Sequence, residues 1–270
     1  MEGRRLGPAL RSIATLVVLF ADAALGAALH TEFGVGLSAL RFDDYPGSDE
    51  SHDVLLPFPY IVVHTERLDI ERDKVRGRLF HSGDWSADLG FSGALPVDSD
   101  ANDARAGMPD LAWVGEVGPE LRYAATHAAT GTKLGVELVS RAAFSIGDPA
   151  LRYRGWWASP RLSVERAWTD ARGCRIKLEG NLGFVYGSRG YNEYYYEVAP
   201  AYAAPGRPAY DARSGWGGLR FAFGVGVRRA HLWYGGFVRY RDVSDAEFAD
   251  SPLVRAPTSL NLGLAVAYVF

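Results

Sequence analysis

Two hundred and seventy residues, 48% hydrophobic and 23% charged with a formal net charge of −3, make a chain able to bury a core, which excludes disorder. The same composition is too polar for a bundle of membrane-spanning helices, and without a basic excess nucleic acid is not an expected partner. Gly 31, Tyr 14 and Trp 7 are the excesses, a mixture suited to closely packed strands.

Arg4, Arg5 and Arg11 precede the apolar run Ile13 to Phe20, and small-x-small triplets follow at Ala21-Asp22-Ala23 and Ala24-Leu25-Gly26. That order predicts a secretory signal peptide over 1–26 and a mature domain over 27–270. About eight apolar residues are too few for the roughly 20 of a spanning helix, so the segment is not read as an anchor. Cys174 is the single cysteine, which excludes an intramolecular disulfide.

From there the sequence alternates with period two. Copies run through 32–40, 58–65, 84–95, 111–123, 132–144 and 154–168. A clearer one sets Ile176, Leu178, Leu182, Phe184 and Tyr186 against Arg175, Lys177, Glu179, Asn181 and Gly183. The segment 218–228 sets Leu219, Phe221, Phe223, Val225 and Val227 against Gly218, Arg220, Ala222, Gly224, Gly226 and Arg228. After another copy at 231–241, Leu260, Leu262, Leu264, Val266, Tyr268 and Phe270 share one face while Asn261, Gly263, Ala265, Ala267 and Val269 share the other.

A soluble sandwich and a membrane barrel both use such strands. Length separates them, because many of these runs exceed the usual 5–6 residues of globular strands and reach the roughly 9–11 a membrane strand needs. The fold class expected is therefore an all-β, antiparallel up-and-down transmembrane barrel. Residues 28–81 read as three strands, which makes eleven in all, whereas an even number returns both termini to one side. A break in 68–80, where alternation is poor, gives twelve, the count favoured here; merging two pieces gives ten.

Long polar segments at 96–110, 146–153, 188–213 and 242–257 fall on one side of this topology, and tight turns at 81–83, 126–131, 169–173 and 229–230 on the other. Short turns are periplasmic in outer-membrane barrels, so the long loops are expected outside. Trp85, Trp113, Trp156, Trp168, Trp216 and Tyr268, near strand ends, suit interfacial girdles. The terminal Phe270, with Tyr268 two residues before it, resembles the signal by which bacterial outer-membrane barrels are recognised by their assembly machinery.

The loops carry a further resemblance. Tyr45-Pro46-Gly47-Ser48; Pro96-Val97-Asp98-Ser99-Asp100 through Asn102-Asp103-Ala104-Arg105 to Gly107-Met108-Pro109-Asp110-Leu111; Tyr191-Asn192-Glu193-Tyr194-Tyr195-Tyr196; and Asp250-Ser251-Pro252-Leu253-Val254 are together similar to the MltA-interacting protein/OmpV family of Gram-negative outer-membrane proteins. One departure is Glu197, where the family usually has glycine. The resemblance implies an outer-membrane barrel in contact with lipid and lipopolysaccharide. For the founding member it implies a scaffold that brings a murein-cleaving transglycosylase together with a murein synthase; OmpV-like members are described as porin-like or adhesive. The motif loops serve barrel closure or partner binding, with closure the weightier reading.

Catalytic chemistry finds little support. His52, His64, His81, His127 and His231 sit in no nucleophile elbow or metal-binding helix motif. Asp98, Asp100 and Asn102 copy the first half of a calcium loop, but Asp103 replaces its turn glycine and Pro109 its bidentate glutamate, so a solvated acidic turn is expected and no cofactor or metal. The polar strand faces carry Glu116, Glu120, Arg122, Lys133, Glu137, Arg141, Arg161, Glu165, Arg175, Lys177, Glu179, Arg220, Arg228, Arg239 and Arg241. In a narrow lumen these charges should pair and obstruct it, with Glu165 or Glu179 as partners of Arg220, Arg228, Arg239 and Arg241; a narrow anion-selective path is the alternative. Function is thus expected to be a non-catalytic scaffold or surface-interaction protein, then a porin-like channel, then a rim-sited hydrolase.

Overall fold

The computed structural model describes residues 28–65, 68–71, 74–127, 129–147 and 150–270. The expected signal peptide lies outside the described residues. These form strands β1 (Ala28–Asp43), β2 (Ser51–Thr65), β3 (Leu68–Glu71), β4 (Lys74–Ser82), β5 (Trp85–Ala94), β6 (Trp113–His127), β7 (Thr132–Ile146), β8 (Arg152–Thr169), β9 (Arg175–Gly187), β10 (Gly215–Arg229), β11 (Leu232–Asp242) and β12 (Thr258–Val269), and one helix, α1 (Arg189–Tyr196). Each strand pairs antiparallel with the next, and β1 also pairs with β12 from Gly34 opposite Val269 to Arg41 opposite Leu262, so the order of neighbours returns to its start. The poorly alternating stretch 68–80 is divided between β3 and β4.

Strand orientation follows side-chain size. On β12 the large set Leu260, Leu262, Leu264, Val266 and Tyr268 is exposed, while Gly263, Ala267 and Val269 are buried. The same parity holds on β10, where Phe221, Phe223 and Val225 face out and Arg220, Ala222 and Gly224 face in. Small inward residues let neighbouring inward side chains cross over them. The Phe237 ring, for example, lies where a side chain on Gly263 would stand.

The connections sort by length. The segments 44–50, 95–112, 150–151, 188–214 and 243–257 lie at one end, and 83–84, 129–131, 170–174 and 230–231 at the other. One expected long loop, 146–153, is shorter than anticipated, because β7 continues to Ile146 and β8 begins at Arg152. Helix α1 packs against β8. There Gly155 has φ +104, and an added Cβ would collide with Ser188 Oγ and the Tyr191 nitrogen. The backbone of β8 can approach α1 so closely only where no side chain intervenes.

Candidate functional site

The long connections do not stand apart in solvent; they gather into one buried core over the barrel mouth. It contains Tyr45, Val97, Ala104, Leu111, Tyr195, Tyr196, Val198, Phe248 and Leu253, and reaches down to Val114 and Ala143 on the strands. The four motif segments meet here. Tyr45 donates from its hydroxyl to the Leu253 carbonyl (2.9 Å), Tyr196 to the Pro46 carbonyl (2.9 Å), and Ser251 to the Tyr196 carbonyl (2.7 Å). The Gly47 carbonyl accepts from the backbone nitrogens of Arg255 (2.8 Å) and Ala256 (3.0 Å). Asn102 donates from Nδ2 to Asp44 (2.7 Å) and Ser48 (3.2 Å).

Arg105 is the charged centre of this core. Its guanidinium donates to the Tyr195 carbonyl (3.2 Å), the Pro109 carbonyl (3.0 Å) and Ser99 Oγ (3.2 Å), and sits 5.8 Å from the Tyr45 ring centroid. Burial lowers its pKa. Burial also pushes the Tyr45 phenol up to about 12, against the pull of Arg105, and carries Tyr191, Tyr195 and Tyr196 well above the usual phenol range. Tyr194 is raised by burial too, although Arg154 lies over its ring at 4.6 Å, and it donates to the Ala112 carbonyl at 3.2 Å.

The remaining motif residues are peripheral. Asp98 accepts from the Asp100 nitrogen (3.0 Å) and Asp100 from the Gly107 nitrogen (3.3 Å), so these carboxylates cap backbone in a solvated turn. The Asp103 nitrogen donates to Glu50 (2.6 Å). Asp250 is exposed, and Pro252 is partly buried beside Ser251. Glu197 ends α1 with φ −73 and ψ 138, an extended conformation open to any residue, so the missing family glycine costs nothing here. Glu193, Glu197 and Asp211 bring three carboxylates together, with Arg189 binding Glu193 and, at 2.8 Å, Asp211. At the rim His52 pairs with Asp44 at 3.0 Å; among the described residues no serine hydroxyl bonds to an imidazole.

Below the loop core charge pairs line the lumen wall, most of them within one strand or between neighbouring strands. Arg141 meets Glu120 at 3.0 Å and donates to the carbonyls of Gly118, Pro119 and Ser140. Arg122 meets Glu137 at 2.6 Å and Glu165 at 3.9 Å, Lys177 meets Glu179 at 2.8 Å, and Arg228 approaches Glu32 at 4.0 Å. Of the two carboxylates expected beside Arg220, Arg228, Arg239 and Arg241, Glu165 lies near Arg122 and Glu179 contacts Lys177, while Glu32 approaches Arg228. Glu32 shares parity with Gly34, Gly36 and Ser38 on the small, polar face of β1, and that is the sequence signal that places it inward. Arg220 and Arg241 stand directly opposite one another on β10 and β11, and Arg239 lies 4.7 Å from the Phe237 ring centroid.

Two further layers complete the barrel. Inward Tyr60, Val62, Trp233, Ala267 and Val269 form an apolar cluster towards the short-turn end, with Trp233 against Tyr60 at 5.6 Å. Outside, aromatic rings pair near both rims: Trp156 with Tyr186 (5.9 Å) and Phe184 with Trp216 (4.9 Å) at the loop end, Trp85 with Tyr123 (5.1 Å) and Tyr268 with Phe270 (5.8 Å) at the other.

An antiparallel sheet with a large apolar exterior, aromatic rims, a charged interior and long loops at one end defines an outer-membrane type of β-barrel. The chain belongs to the MltA-interacting protein MipA family, whose family model matches residues 35–270. Among solved structures it is distantly similar to Pseudomonas putida OprB in a high-pH structure, at 7% identity and a TM-score of 0.36, covering 93% of this chain and 96% of that one. It is also distantly similar to the Pseudomonas putida toluene transporter TodX, at 8% identity and a TM-score of 0.31, covering 90% of each chain. No curated protein matches the sequence.

Proposed function

We propose that the protein is an outer-membrane barrel of twelve strands, exported through a signal peptide at 1–26, that works as a rigid interaction scaffold rather than a pore or an enzyme. The observation that carries this reading is the single buried core in which Tyr45, Arg105, Tyr195, Tyr196 and Leu253 join separate loops across one mouth of the barrel. Loops fixed to one another in this way cap that mouth, and the charge pairs and the Trp233 cluster beneath them narrow the lumen, which argues against a pore and leaves the opposite end of the barrel as the scaffold's working face.

The exterior supports the membrane. Leu264, Leu162 and Leu55 are more than 60% exposed among a field of other outward apolar side chains, and each such residue forgoes about 1.5–3 kcal/mol if it faces water. On β8 the outward Trp156 and Trp168 are twelve residues apart, about 40 Å along a strand and roughly 30 Å at the usual tilt, near the thickness of a hydrocarbon core. The motif contacts serve chiefly to hold the loop core closed. With short turns periplasmic, the loop core faces outward among lipopolysaccharide, and the periplasmic end is left for a partner.

The family's description names an interaction with MltA. On that basis the partner proposed is a murein-cleaving transglycosylase, with a murein-synthesising enzyme as the second ligand of the scaffold. The test is co-elution of the detergent-purified barrel with a purified transglycosylase of that class. A stable complex is expected; separate elution at micromolar concentrations overturns the partner. A narrow channel is the second reading, favoured by Arg220 and Arg241 facing open lumen space. Planar-bilayer recordings separate the two: the scaffold is silent, and steady anion-selective openings establish the channel instead.

A further inference from the structure

Strands β8 to β11 bring three guanidinium groups to one level of the lumen. Arg161 is registered opposite Gly183, Gly183 opposite Arg220, and Arg220 opposite Arg241. The glycine is part of the arrangement. A Cβ on Gly183 would collide with the Pro160 carbonyl and come 2.6 Å from Arg161 Cγ, so the stem of Arg161 crosses the empty position towards Arg220. Arg239, opposite Ala222 on the same two strands, is within electrostatic reach of Arg220.

Like charges set directly opposite one another on neighbouring strands destabilise a sheet. Asp43 lies within electrostatic reach of Arg241, and the carboxylates nearest Arg161 are engaged elsewhere. Glu137 faces Arg122 and Glu120 faces Arg141, while Glu116 accepts from Ser92 and from the Trp157 indole. Arg161 donates to Ser159 Oγ at 3.1 Å. Among the described residues no carboxylate lies within ion-pair distance of Arg161, Arg220 or Arg241. Arg220 is deep in the barrel yet keeps part of its surface open, so it faces lumen space. From above, Tyr191 of α1 comes within electrostatic reach of Arg220 and Arg241.

We propose that this row binds a small, multiply charged oxyanion of the phosphate type inside the barrel. Planar guanidinium forks match tetrahedral oxyanions and hold them by paired, charge-assisted hydrogen bonds. A dianion bridges facing arginines and relieves their repulsion; chloride carries one charge and offers no array of oxygens for the forks. The sheet on one side and the loop core above separate the row from lipid headgroups, so the ligand is a free anion. The inference is independent of any protein partner.

The test uses the exported protein purified in detergent, with thermal unfolding followed in sodium phosphate and in sodium chloride of equal ionic strength and pH. The parent should unfold at a higher temperature in phosphate, with a saturable dependence on phosphate concentration. The double variant Arg220→Gln/Arg241→Gln should lose that response and, freed of opposed charges, should unfold in chloride at a higher temperature than the parent. Arg175→Gln, which among the described residues pairs with Glu32, should keep it. Equilibrium dialysis of labelled inorganic phosphate against the parent needs no variant to fold and should show one saturable site per chain. Absence of saturable binding to the parent, or a phosphate response undiminished in the double variant, overturns the proposal.

Discussion

The hydroxyl of Tyr196 donates to the carbonyl of Pro46, 150 residues away in the chain, at 2.9 Å. The Tyr196 ring stacks on Phe248 with an interplanar angle of 7°, and its carbonyl receives the Ser251 hydroxyl. One residue thus ties α1 to the β1–β2 and β11–β12 connections. Tyr196→Phe should cost about 1 kcal/mol, the worth of one hydrogen bond. Tyr196→Ala should cost about 3–5 kcal/mol, since it also leaves a cavity against Phe248. The damage should be confined to the loop end: limited proteolysis is expected to cut 188–214 and 243–257 faster, while the heat-modifiable band of the folded barrel persists.

Arg105 satisfies two carbonyls and a hydroxyl with one planar group. Arg105→Ala leaves the Tyr195 carbonyl without this donor inside the core, at about 1–3 kcal/mol for an unsatisfied group, while the Pro109 carbonyl keeps the Ser99 hydroxyl. Arg105→Lys should rescue little, because a single ammonium cannot reproduce the fork. Hydrogen exchange of residues 96–111 and 189–198 measures both effects; equal protection in the lysine variant and the parent would refute the fork argument.

Alkali should open the same core. A phenol whose folded pKa exceeds its unfolded value contributes stability that is complete below the unfolded value and lost as pH rises through the folded one. For Tyr45 that window runs from 10.0 to about 12. Phenolate absorbance should therefore appear first from exposed tyrosines and later from the core, and the late phase should coincide with loss of loop protection. In Tyr45→Phe that late phase should shrink and the Leu253 contact be lost.

Much of the architecture was legible because parity alone decides which face of a strand a residue occupies. Leu262 and Leu264 face outward and Gly263 inward for a reason visible in the sequence. Which inward residues meet is another matter, since it depends on register and on how far a long side chain leans. Arg122 meets Glu137 directly opposite on β7 and also reaches Glu165 on β8, and no linear pattern encodes that second contact. In the loops the motif residues could be named from the sequence, but their convergence could not. Asn102 reads as half of a calcium loop, yet its amide joins Asp44 and Ser48 more than fifty positions earlier.

The lumen pairs should differ in weight. The Glu137 side chain is 6% exposed and that of its partner Arg122 is 21% exposed; Glu179 is 27% exposed beside Lys177. Breaking a buried pair by removing one charge costs about 3–5 kcal/mol, whereas an exposed pair contributes about 0–1 kcal/mol, and the half-buried Lys177 pair falls between the two. Glu137→Gln should consequently lower the unfolding temperature far more than Glu179→Gln. Comparable losses would show that the lumen is solvated evenly along its length.

Insertion and stability should separate at the C-terminus. Phe270 is 77% exposed, its backbone nitrogen donates to the Phe33 carbonyl across the β1–β12 seam at 2.9 Å, and its ring meets Tyr268 edge-on at 5.8 Å. Val269 points the other way, fully buried beside Trp233, Tyr60 and Ala267. Deleting Phe270 removes the outermost residue of the lipid-facing row together with one seam hydrogen bond, so it should sharply reduce the protein recovered in the outer membrane. Val269→Ala keeps that row intact and removes inward methyl groups, which should cost about 1.5–2.5 kcal/mol through lost burial and a residual cavity. Its insertion should therefore be normal and its unfolding temperature reduced. Equal insertion of the two variants would show that the assembly machinery does not read the outward row ending in Tyr268 and Phe270.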